Sequence, residues 1–395
     1  MAVAAANAGF RVIGLDSSER RVKEITRGVG LNTVTESRLD EALNGGLLHI
    51  RKTSVVMPKA RTYMVCVPTP PGEHLGADLS SLLSAIDMIG VRLSREDLVL
   101  IQSTCPPGTL DEVVAPRLTA QCGLQPGVDF SLAYSPVRIS PGRASAQTAP
   151  RLVSGVTARC AKNAGNFLDA LKEQVIPVAD SRVVELAKVF ENAFRLVNIS
   201  LVNELAKVCE LAKIDVSDVL SAAETKPYGY LGHQPSVGAG GACVPLSAQM
   251  LSAMARKCGT VASITETALK VNEEMCSRTI HRVRTLLDER RLPPLSDCRV
   301  LVLGITYKPD VADVRQSAAV RVLEQLRMEA KVTYHDPYVP RLELDDGTVL
   351  SSAPCEPESV DLVILITKHQ VLDADALANC GTPVVDCSSG YPMLG

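Results

Sequence analysis

Short aliphatic runs alternate with amphipathic stretches over the first 155 residues of the chain. The runs that read as strands are RVIGLD, TYMVCVPTP, DLVLIQST and FSLAYSP, and the stretches that read as helices are RVKEIT and LSSLLSAIDMIGVRL. Strands and helices in this alternating order predict a parallel, doubly wound sheet.

Two later segments, residues 182–223 and 247–290, carry apolar residues at the i, i+3, i+4 spacing of long helices. The proline-rich break RRLPPLSDC then opens a second alternation of strand and helix patterns, with RVLVLGITY, KVTYHDPYV, DLVILIT and PVVDC as its strands. The sequence therefore predicts an α/β protein with two Rossmann-like doubly wound domains joined by a central helical domain. The predicted boundaries are residues 1–180, 181–290 and 291–395.

We expect the central helices to form a symmetric contact in a homodimer or larger homo-oligomer.

Composition narrows the classes of function. The chain of 395 residues has a formal net charge of -3 at pH 7, which gives no basic field for nucleic acid. The opening MAVAAANAGF lacks the basic leader of a signal peptide, and no apolar run is long enough to span a membrane. The 12 cysteines show neither CxxC pairs nor the spacing of a zinc site, so we expect no metal, reduced thiols and a cytoplasmic protein.

The first predicted strand ends in an acidic residue, Asp16. In a dinucleotide-binding fold a glycine-rich turn holds the pyrophosphate, and an acidic residue about 20 positions later binds the ribose. Counting back from Asp16 leads to a position before Met1, so we expect the chain to start inside the first helix and to lack the first strand and that turn. On its own, Asp16 could equally end a strand and cap the next helix.

Two loops favour the cofactor interpretation. CVPTP (Cys66 to Pro70) and QSTCPPGT (Gln102 to Thr109) both follow strands, at the carboxyl edge where open α/β sheets bind ligands. Their prolines fix the backbone and their threonines supply hydroxyl groups. The residues predicted to bind a cofactor here are Asp16, Pro68, Thr69, Ser103 and Thr104.

Motifs spread over nearly the whole chain resemble those of the UDP-glucose/GDP-mannose dehydrogenases. They are VPTP, STCPPGT, AYSPVRISPGR, ELAKVFENAFRLVNISLVNELAKV, SVGAGGACVP, GITYKPDVADVRQS and YHDPYV. The nearest resemblance is to the branch that includes UDP-N-acetylmannosamine and related N-acetylhexosamine dehydrogenases. It implies NAD as cofactor, a UDP-sugar as substrate and a four-electron oxidation of an alcohol to a carboxylate through a cysteine thioester.

The resemblance also implies roles for individual residues. Cys243, which follows Gly238, Gly240 and Gly241, is the expected nucleophile, because glycines allow close backbone approach and nearby amides support a thiolate. Any one of the 12 cysteines would otherwise be read as a core residue. Lys188 and Asn192 share one helix face at i and i+4, which elsewhere would be a solvated surface. The residues implied for catalysis are Cys243, Lys188, Asn192 and Thr104, and those implied for substrate binding are Arg138, Lys188, Asn192, Gly240, Gly241 and Lys308. Arg315 is expected to meet the diphosphate or the cofactor.

Three positions depart from the family pattern. Val137 replaces an acid-base glutamate, Ala242 replaces a histidine, and Ser247 replaces an aspartate. Because valine cannot move a proton, we expect the loss of the glutamate and the aspartate to remove two of the groups that make thioester hydrolysis fast. Two alternatives are a catalytically silent member with a regulatory or oligomer-forming role, and a partial enzyme that stops at the aldehyde or the thioester. His369 in ITKHQ is not expected to be catalytic.

Overall fold

A computed structural model of the chain describes residues 1–28, 36–53, 57–72, 76–138, 149–241, 243–388 and 393–394. The chain divides into two compact units, Met1–Phe190 and Glu191–Gly395. None of the helices in these ranges is long and apolar enough to cross a membrane.

The strands of the first unit form two separate sheets. A two-stranded parallel sheet pairs β1 (Val12–Asp16) with β2 (Leu48–Lys52). A five-stranded sheet has the order β3-β4-β5-β6-β7. Its strands are β3 (Thr62–Val65), β4 (Leu98–Ile101), β5 (Ser131–Tyr134), β6 (Arg151–Gly155) and β7 (Val175–Pro177). Neighbouring strands of this sheet run parallel, except that β5 and β6 are antiparallel. Within the described ranges, no strand pairs with both β1 and β3, so the two sheets are separate.

Helices connect these strands and cover the larger sheet. They are α1 (Ala2–Asn7), α2 (Glu19–Thr26), α3 (Glu36–Asn44), α4 (Ser80–Gly90), a π-helical turn (Thr109–Val114) that continues as α5 (Ala115–Cys122), and α6 (Ala158–Ala170). Every residue of β4 and β5 is buried. Strands covered on both faces read as continuous apolar runs, which explains why LVLI shows no alternation.

The helical part begins with α7 (Ser181–Ala212), a helix of 32 residues that contains the division between the units. It is followed by α8 (Val216–Glu224), α9 (Val244–Lys257) and α10 (Ser263–Glu289). Each predicted long segment therefore contains two helices. The first break lies at Lys213, with φ +57°, and Asp215 caps α8 through the N–H of Ser217. The second follows Gly259, with φ +76°.

A second five-stranded sheet, in the order β14-β13-β12-β8-β9, forms the end of the chain. Its strands are β8 (Arg299–Leu303), β9 (Lys331–His335), β12 (Leu362–Leu365), β13 (Val384–Asp386) and β14 (Met393–Leu394), and only β14 is antiparallel to its neighbour. A hairpin of β10 (Arg341–Glu343) and β11 (Val349–Ser351) and the helices α11 (Ala318–Arg327) and α12 (Ala374–Ala378) complete it. Short 3-10 turns lie at Leu295–Asp297 and Pro357–Ser359.

The predicted α/β class is confirmed, with two mainly parallel five-stranded sheets that a helical part separates in the sequence. The strand RVIGLD, predicted as part of the first doubly wound sheet, instead pairs with β2 in a separate sheet. The strand patterns RVIGLD and DLVILIT contain β1 and β12. The boundaries at residues 1–180, 181–290 and 291–395 stay predictions.

Candidate functional site

Hydroxyl groups tie together the loops that follow β3 and β4. Thr69 donates its hydroxyl to the Thr104 carbonyl at 2.7 Å, and Ser103 donates to the Val67 carbonyl at 2.7 Å. Both residues are buried, whereas Thr104 is half-buried and Pro68 is exposed. The predicted residues therefore meet at one sheet edge, because β3 and β4 are parallel neighbours. The buried hydroxyls fix the loops, and Thr104 and Pro68 are the accessible members.

Asp16 ends β1 and takes part in the start of α2. Its Oδ1 accepts the N–H of Ser18 at 2.8 Å, and the Ser18 hydroxyl accepts the N–H of Arg21 at 3.3 Å. This arrangement matches the helix-capping interpretation. It uses one carboxylate oxygen, so ribose binding by Asp16 stays a prediction.

A buried carboxyl group that the sequence analysis missed contacts the loop after β4. Glu185 of α7 is 1% exposed and accepts the N–H groups of Gly108 and Leu110 at 2.6 and 2.9 Å. Burial raises the pKa of Glu185 to about 7, although the two N–H donors favour the ionised form. The sequence spacing could have indicated that Glu185 is buried, since it shares a helix face with Val189 and Asn192. An acid on a buried face is rare without a specific partner.

Asn192 and Ser247 form a buried contact between α7 and α9. Asn192 Nδ2 donates to Ser247 Oγ at 3.0 Å, and Ser247 is 0% exposed. Ala193 and Ala248 lie beside them in an apolar cluster. An ionised carboxylate in such surroundings would need compensating partners, whereas a serine hydroxyl is satisfied by one amide.

Cys243 stands immediately before α9 and is exposed. The amino end of a helix favours negative charge close to it. The preceding glycines are required by their surroundings, because Gly241 has φ +84° and a Cβ on Gly240 would lie 2.6 Å from the Gln316 carbonyl oxygen. They let two backbone segments approach closely beside the cysteine.

The segment that faces these glycines follows β8 and carries Tyr307 and Arg315. The Tyr307 ring lies 3.1 Å from the Cβ position of Gly241. Arg315 makes a bidentate ion pair with Asp313, with Nε to Oδ1 at 2.9 Å and Nη2 to Oδ2 at 2.6 Å. Its pKa is raised first by Asp313 and also by Cys243, despite partial burial. Cys243, Tyr307 and Arg315 are therefore electrostatic neighbours.

A buried aspartate and histidine hold the start of this segment. Asp336 Oδ2 accepts the N–H of Ile305 at 2.7 Å and lies 3.1 Å from His369 Nε2. His369 Nδ1 accepts the N–H of Asp310 at 2.9 Å, which places the proton on Nε2. Burial acts to raise the pKa of Asp336, but hydrogen bonds from His369 and from the Ile305 and Tyr338 N–H groups lower it on balance. His369 is thus engaged on both ring nitrogens and links the loops.

The remaining predicted residues are placed as follows. Arg138 is half-buried and donates from Nη1 to the Pro150 carbonyl at 2.9 Å. Val137 is half-buried beside it, and Lys188 and Lys308 are half-buried on α7 and on the segment after β8. Ala242 lies outside the described residues.

Some of the predicted residues lie together within one unit, whereas Asp16, Arg138, Lys188 and Lys308 are not among the residues brought together below. The first unit brings together Pro68, Thr69, Ser103 and Thr104, and it adds Glu185, which was not predicted. In the second unit Cys243, Gly240, Gly241 and Arg315 lie together, and Asn192 contacts Ser247.

Sequence profiles of one family match the chain in three parts. The NAD binding domain of the UDP-glucose/GDP-mannose dehydrogenase family matches residues 1–175, its central domain residues 182–274 and its UDP binding domain residues 301–388.

Known relatives cover most of the chain. A UDP-N-acetyl-D-mannosamine dehydrogenase from Pyrococcus horikoshii is 31% identical over 374 residues, which is 93% of this chain and 86% of the relative. A UDP-N-acetyl-D-glucosamine 6-dehydrogenase from Salmonella typhi is 29% identical, over 91% of this chain and 85% of the relative. The solved structure of a UDP-D-ManNAc dehydrogenase from Pyrococcus horikoshii superposes with a TM-score of 0.85 at 28% identity, covering 98% of this chain and 91% of that one.

Proposed function

The chain belongs to the UDP-glucose/GDP-mannose dehydrogenase family, and we propose that it oxidises the C6 alcohol of a UDP-N-acetylhexosamine to the uronate with NAD. The observation that carries the proposal is an exposed cysteine, Cys243, at the start of α9 beside a glycine segment. N-acetylhexosamine is chosen because the relatives described above are named for UDP-N-acetylmannosamine and UDP-N-acetylglucosamine. The comparisons give no support to a catalytically silent member.

Cys243 is the nucleophile of the proposed reaction. NAD, when bound, supplies the hydride acceptor for the two oxidation steps. The Cys243 thiolate adds to the C6 aldehyde, and protonation of the adduct gives a thiohemiacetal, whose loss of a hydride and a proton leaves a thioester. Water then cleaves the C–S bond, which gives the carboxylate and returns the thiol. The electron count is four for each alcohol carried to the acid.

Lys188 and Asn192 assist this chemistry from successive turns of α7. The Lys188 ammonium stabilises negative charge on the C6 oxygen as the tetrahedral species forms. The hydrogen bond to Ser247 fixes the amide plane of Asn192, so that its orientation toward water or oxygen is set in advance. Thr104 offers a hydroxyl at the sheet edge of the first unit. Because Val137 has no ionisable group, bound water carries the protons that a glutamate would move.

The first unit carries groups that suit NAD. Asp16 ends a strand and has one carboxylate oxygen outside its capping bond, which suits ribose hydroxyls. Pro68 and Thr104 line the accessible edge, and the buried hydroxyls of Thr69 and Ser103 fix that edge before a ligand arrives. These five residues would hold the cofactor.

Charged groups of the second unit suit the UDP part of the substrate. Arg315 is 66% exposed, and its bidentate pair with Asp313 leaves Nη1 for a phosphate oxygen. Lys308 lies on the same segment and adds a second positive charge, and Arg138 of the first unit is a further candidate. A contact of Arg315 with the cofactor has no comparable support, since the groups that raise the pKa of Arg315 are Asp313, Cys243 and Tyr307.

We also propose that the protein forms a homodimer through α7. Exposed apolar side chains repeat along this helix at Phe194, Leu201, Val208 and Leu211. Three of them are seven residues apart, which places them on one side of the helix. An apolar stripe of this kind is costly to leave in water and fits a symmetric contact with a second copy. The cytoplasmic location predicted from the cysteine pattern is part of the same proposal.

A substrate panel tests the proposed reaction. The protein is mixed with NAD and with UDP-N-acetylmannosamine, UDP-N-acetylglucosamine, UDP-glucose or GDP-mannose, and NADH absorbance is followed while mass spectrometry identifies the product. We expect the highest kcat/KM with a UDP-N-acetylhexosamine, and two NADH formed for each uronate. A preference for GDP-mannose would contradict the substrate assignment. One NADH for each sugar, with no uronate, would establish the partial enzyme instead.

A further inference from the structure

Glu185 joins two elements of the first unit that carry different proposed functional groups. It lies on α7, three residues before Lys188. Its two carboxylate oxygens accept the N–H groups of Gly108 and Leu110, which belong to the chain just after Thr104. The carboxyl group is therefore shared between the helix of the lysine and the loop of the threonine.

The two N–H groups stand at the start of a helix. The π-helical turn that begins at Thr109 continues into α5. The first N–H groups of any helix lack partners within it, and the helix dipole favours a negative charge at that end. Glu185 supplies both the acceptors and the charge from another element. A second link lies beside it, where the Ser181 hydroxyl donates to Asp111.

The loop between β4 and this helix is fixed at both ends. At the strand end, Gln102 donates its N–H to the Val65 carbonyl at 2.8 Å. At the helix end, Gly108 adopts φ +92° and is held by Glu185 at 2.6 Å. Ser103 and Thr104 lie between the two anchors. The short segment Cys105 to Pro107, which contains two prolines, joins Thr104 to the Gly108 anchor.

From this geometry we propose that Glu185 is a positioning residue, whose ionised carboxylate holds Thr104 in place relative to the turn of α7 that carries Lys188. The inference rests on the proposed function, because that function places Thr104 and Lys188 at the reacting groups. An ionised carboxylate accepts both N–H groups, whereas a protonated carboxyl or a carboxamide has one good acceptor oxygen and turns a donor toward the other N–H.

The groups that face Glu185 set the pH at which its hydrogen bonds to the Gly108 and Leu110 N–H groups weaken. Burial is the main reason that its pKa lies at about 7, the two N–H bonds lower it, and Asp111 and Asp180 raise it. Cys105 and Tyr134 also face it, and burial raises the pKa of both, so they stay neutral near pH 7. Glu185 thus loses its charge as the pH falls through about 7, and the hold on Gly108 and Leu110 weakens in that direction.

Amide hydrogen exchange measures how strongly Glu185 protects the Gly108 and Leu110 N–H groups, and it needs neither substrate nor cofactor. Exchange of the peptide that contains Gly108 and Leu110 is compared, at about pH 6 and about pH 8, with that of a reference peptide from α6 in the same molecule. Glu185→Gln removes the charge at nearly constant volume. Glu204→Gln is the matched control, because Glu204 lies on the same helix and is exposed. At about pH 8 we expect exchange in Glu185→Gln to be about tenfold faster than in wild type and in Glu204→Gln, and the gap to narrow at about pH 6.

Kinetics supply the second readout. We expect kcat of wild type to fall as the pH drops through about 7, and kcat of Glu185→Gln to be about tenfold lower at pH 8 and flat across this range, with KM for the UDP-sugar unchanged. Glu185→Asp, which keeps the charge, should retain the pH dependence at a lower kcat.

Each outcome decides the proposal. Equal exchange in wild type and Glu185→Gln at about pH 8, or an acid limb that survives in Glu185→Gln, would overturn it. If wild type forms no NADH while the exchange difference is found, the proposed function fails and the hold of Glu185 on the loop stands. If Glu185→Gln does not fold, the wild-type exchange series across pH 7 decides alone, and a constant ratio to the α6 peptide would refute the proposal.

Discussion

At the residue scale, the contact between Asn192 and Ser247 is a buried side-chain hydrogen bond between α7 and α9. The Ser247 hydroxyl is fully buried and accepts from the Asn192 amide at 3.0 Å. It therefore orients the asparagine as a carboxylate would, but it cannot accept a proton from water near neutral pH. In the proposed reaction, thioester hydrolysis therefore falls to groups other than residue 247.

Replacing Ser247 by alanine tests the structural half of this argument. The Asn192 amide would lose its buried acceptor, so we expect Ser247→Ala to lower the free energy of unfolding by about 1–3 kcal/mol. Urea unfolding followed by circular dichroism measures this change. The control is Ser221→Ala at an exposed position of α8, which we expect to stay within about 0.5 kcal/mol of wild type. Equal stabilities of the two variants would contradict the account.

At the element scale, the glycine segment before Cys243 and the segment after β8 determine one another's position. The Gly240 backbone meets the Gln316 carbonyl, and Gly241 meets the Tyr307 ring. The second segment is itself held by Asp336 and its partner histidine. Close packing against this segment therefore positions the cysteine loop, although the loop itself is built from glycines.

Gly240→Ala probes this close approach. Its Cβ would lie 2.6 Å from the Gln316 carbonyl oxygen, a backbone atom that cannot rotate away, so one segment must shift. We expect kcat to fall by about tenfold or more, because small displacements of a nucleophile are costly. The control is Gly165→Ala in α6, whose Cβ would make an ordinary contact of 3.7 Å with Val175. It should keep full activity and gain up to about 1 kcal/mol of stability. Unchanged NADH production by Gly240→Ala would count against the packing argument.

The apolar stripe of α7 is a second feature at the element scale. Leu201 is 60% exposed and lies near the middle of the helix. We expect Leu201→Glu to shift sedimentation from dimer toward monomer, since a charge would be buried unpaired in the contact. Met328→Glu, at a position 86% exposed and outside α7, should leave the dimer intact. A monomeric wild type, or an undisturbed Leu201→Glu dimer, would show that this stripe serves another purpose.

At the scale of the whole molecule, local patterns were sufficient to predict the two five-stranded sheets and the helical part. Aliphatic runs predicted β4 and β12, and the glycines before Cys243 marked a place of close backbone approach. The breaks that Lys213 and Gly259 make in the long helical segments were missed, because apolar spacing continues across both.

Contacts between residues far apart in sequence were beyond such patterns. Glu185 meets Gly108 across 77 positions, and Asp336 meets His369 across 33. The sequence around Glu185 or Asp336 does not indicate which distant residue each acid contacts. Each buried acid stands out only as a polar residue at an apolar position, and the structure is needed to show which N–H groups it accepts.

The role of Cys243 is tested by measuring NADH formation by Cys243→Ser beside Cys258→Ser, with NAD and the preferred UDP-N-acetylhexosamine. Both cysteines are exposed and they flank the same helix, α9, so the two changes match in chemistry and in surroundings. We expect the rate to fall by roughly 100-fold or more in Cys243→Ser and to stay at the wild-type value in Cys258→Ser. Full activity in Cys243→Ser would contradict a thioester on this residue, and with it the proposed route to the uronate.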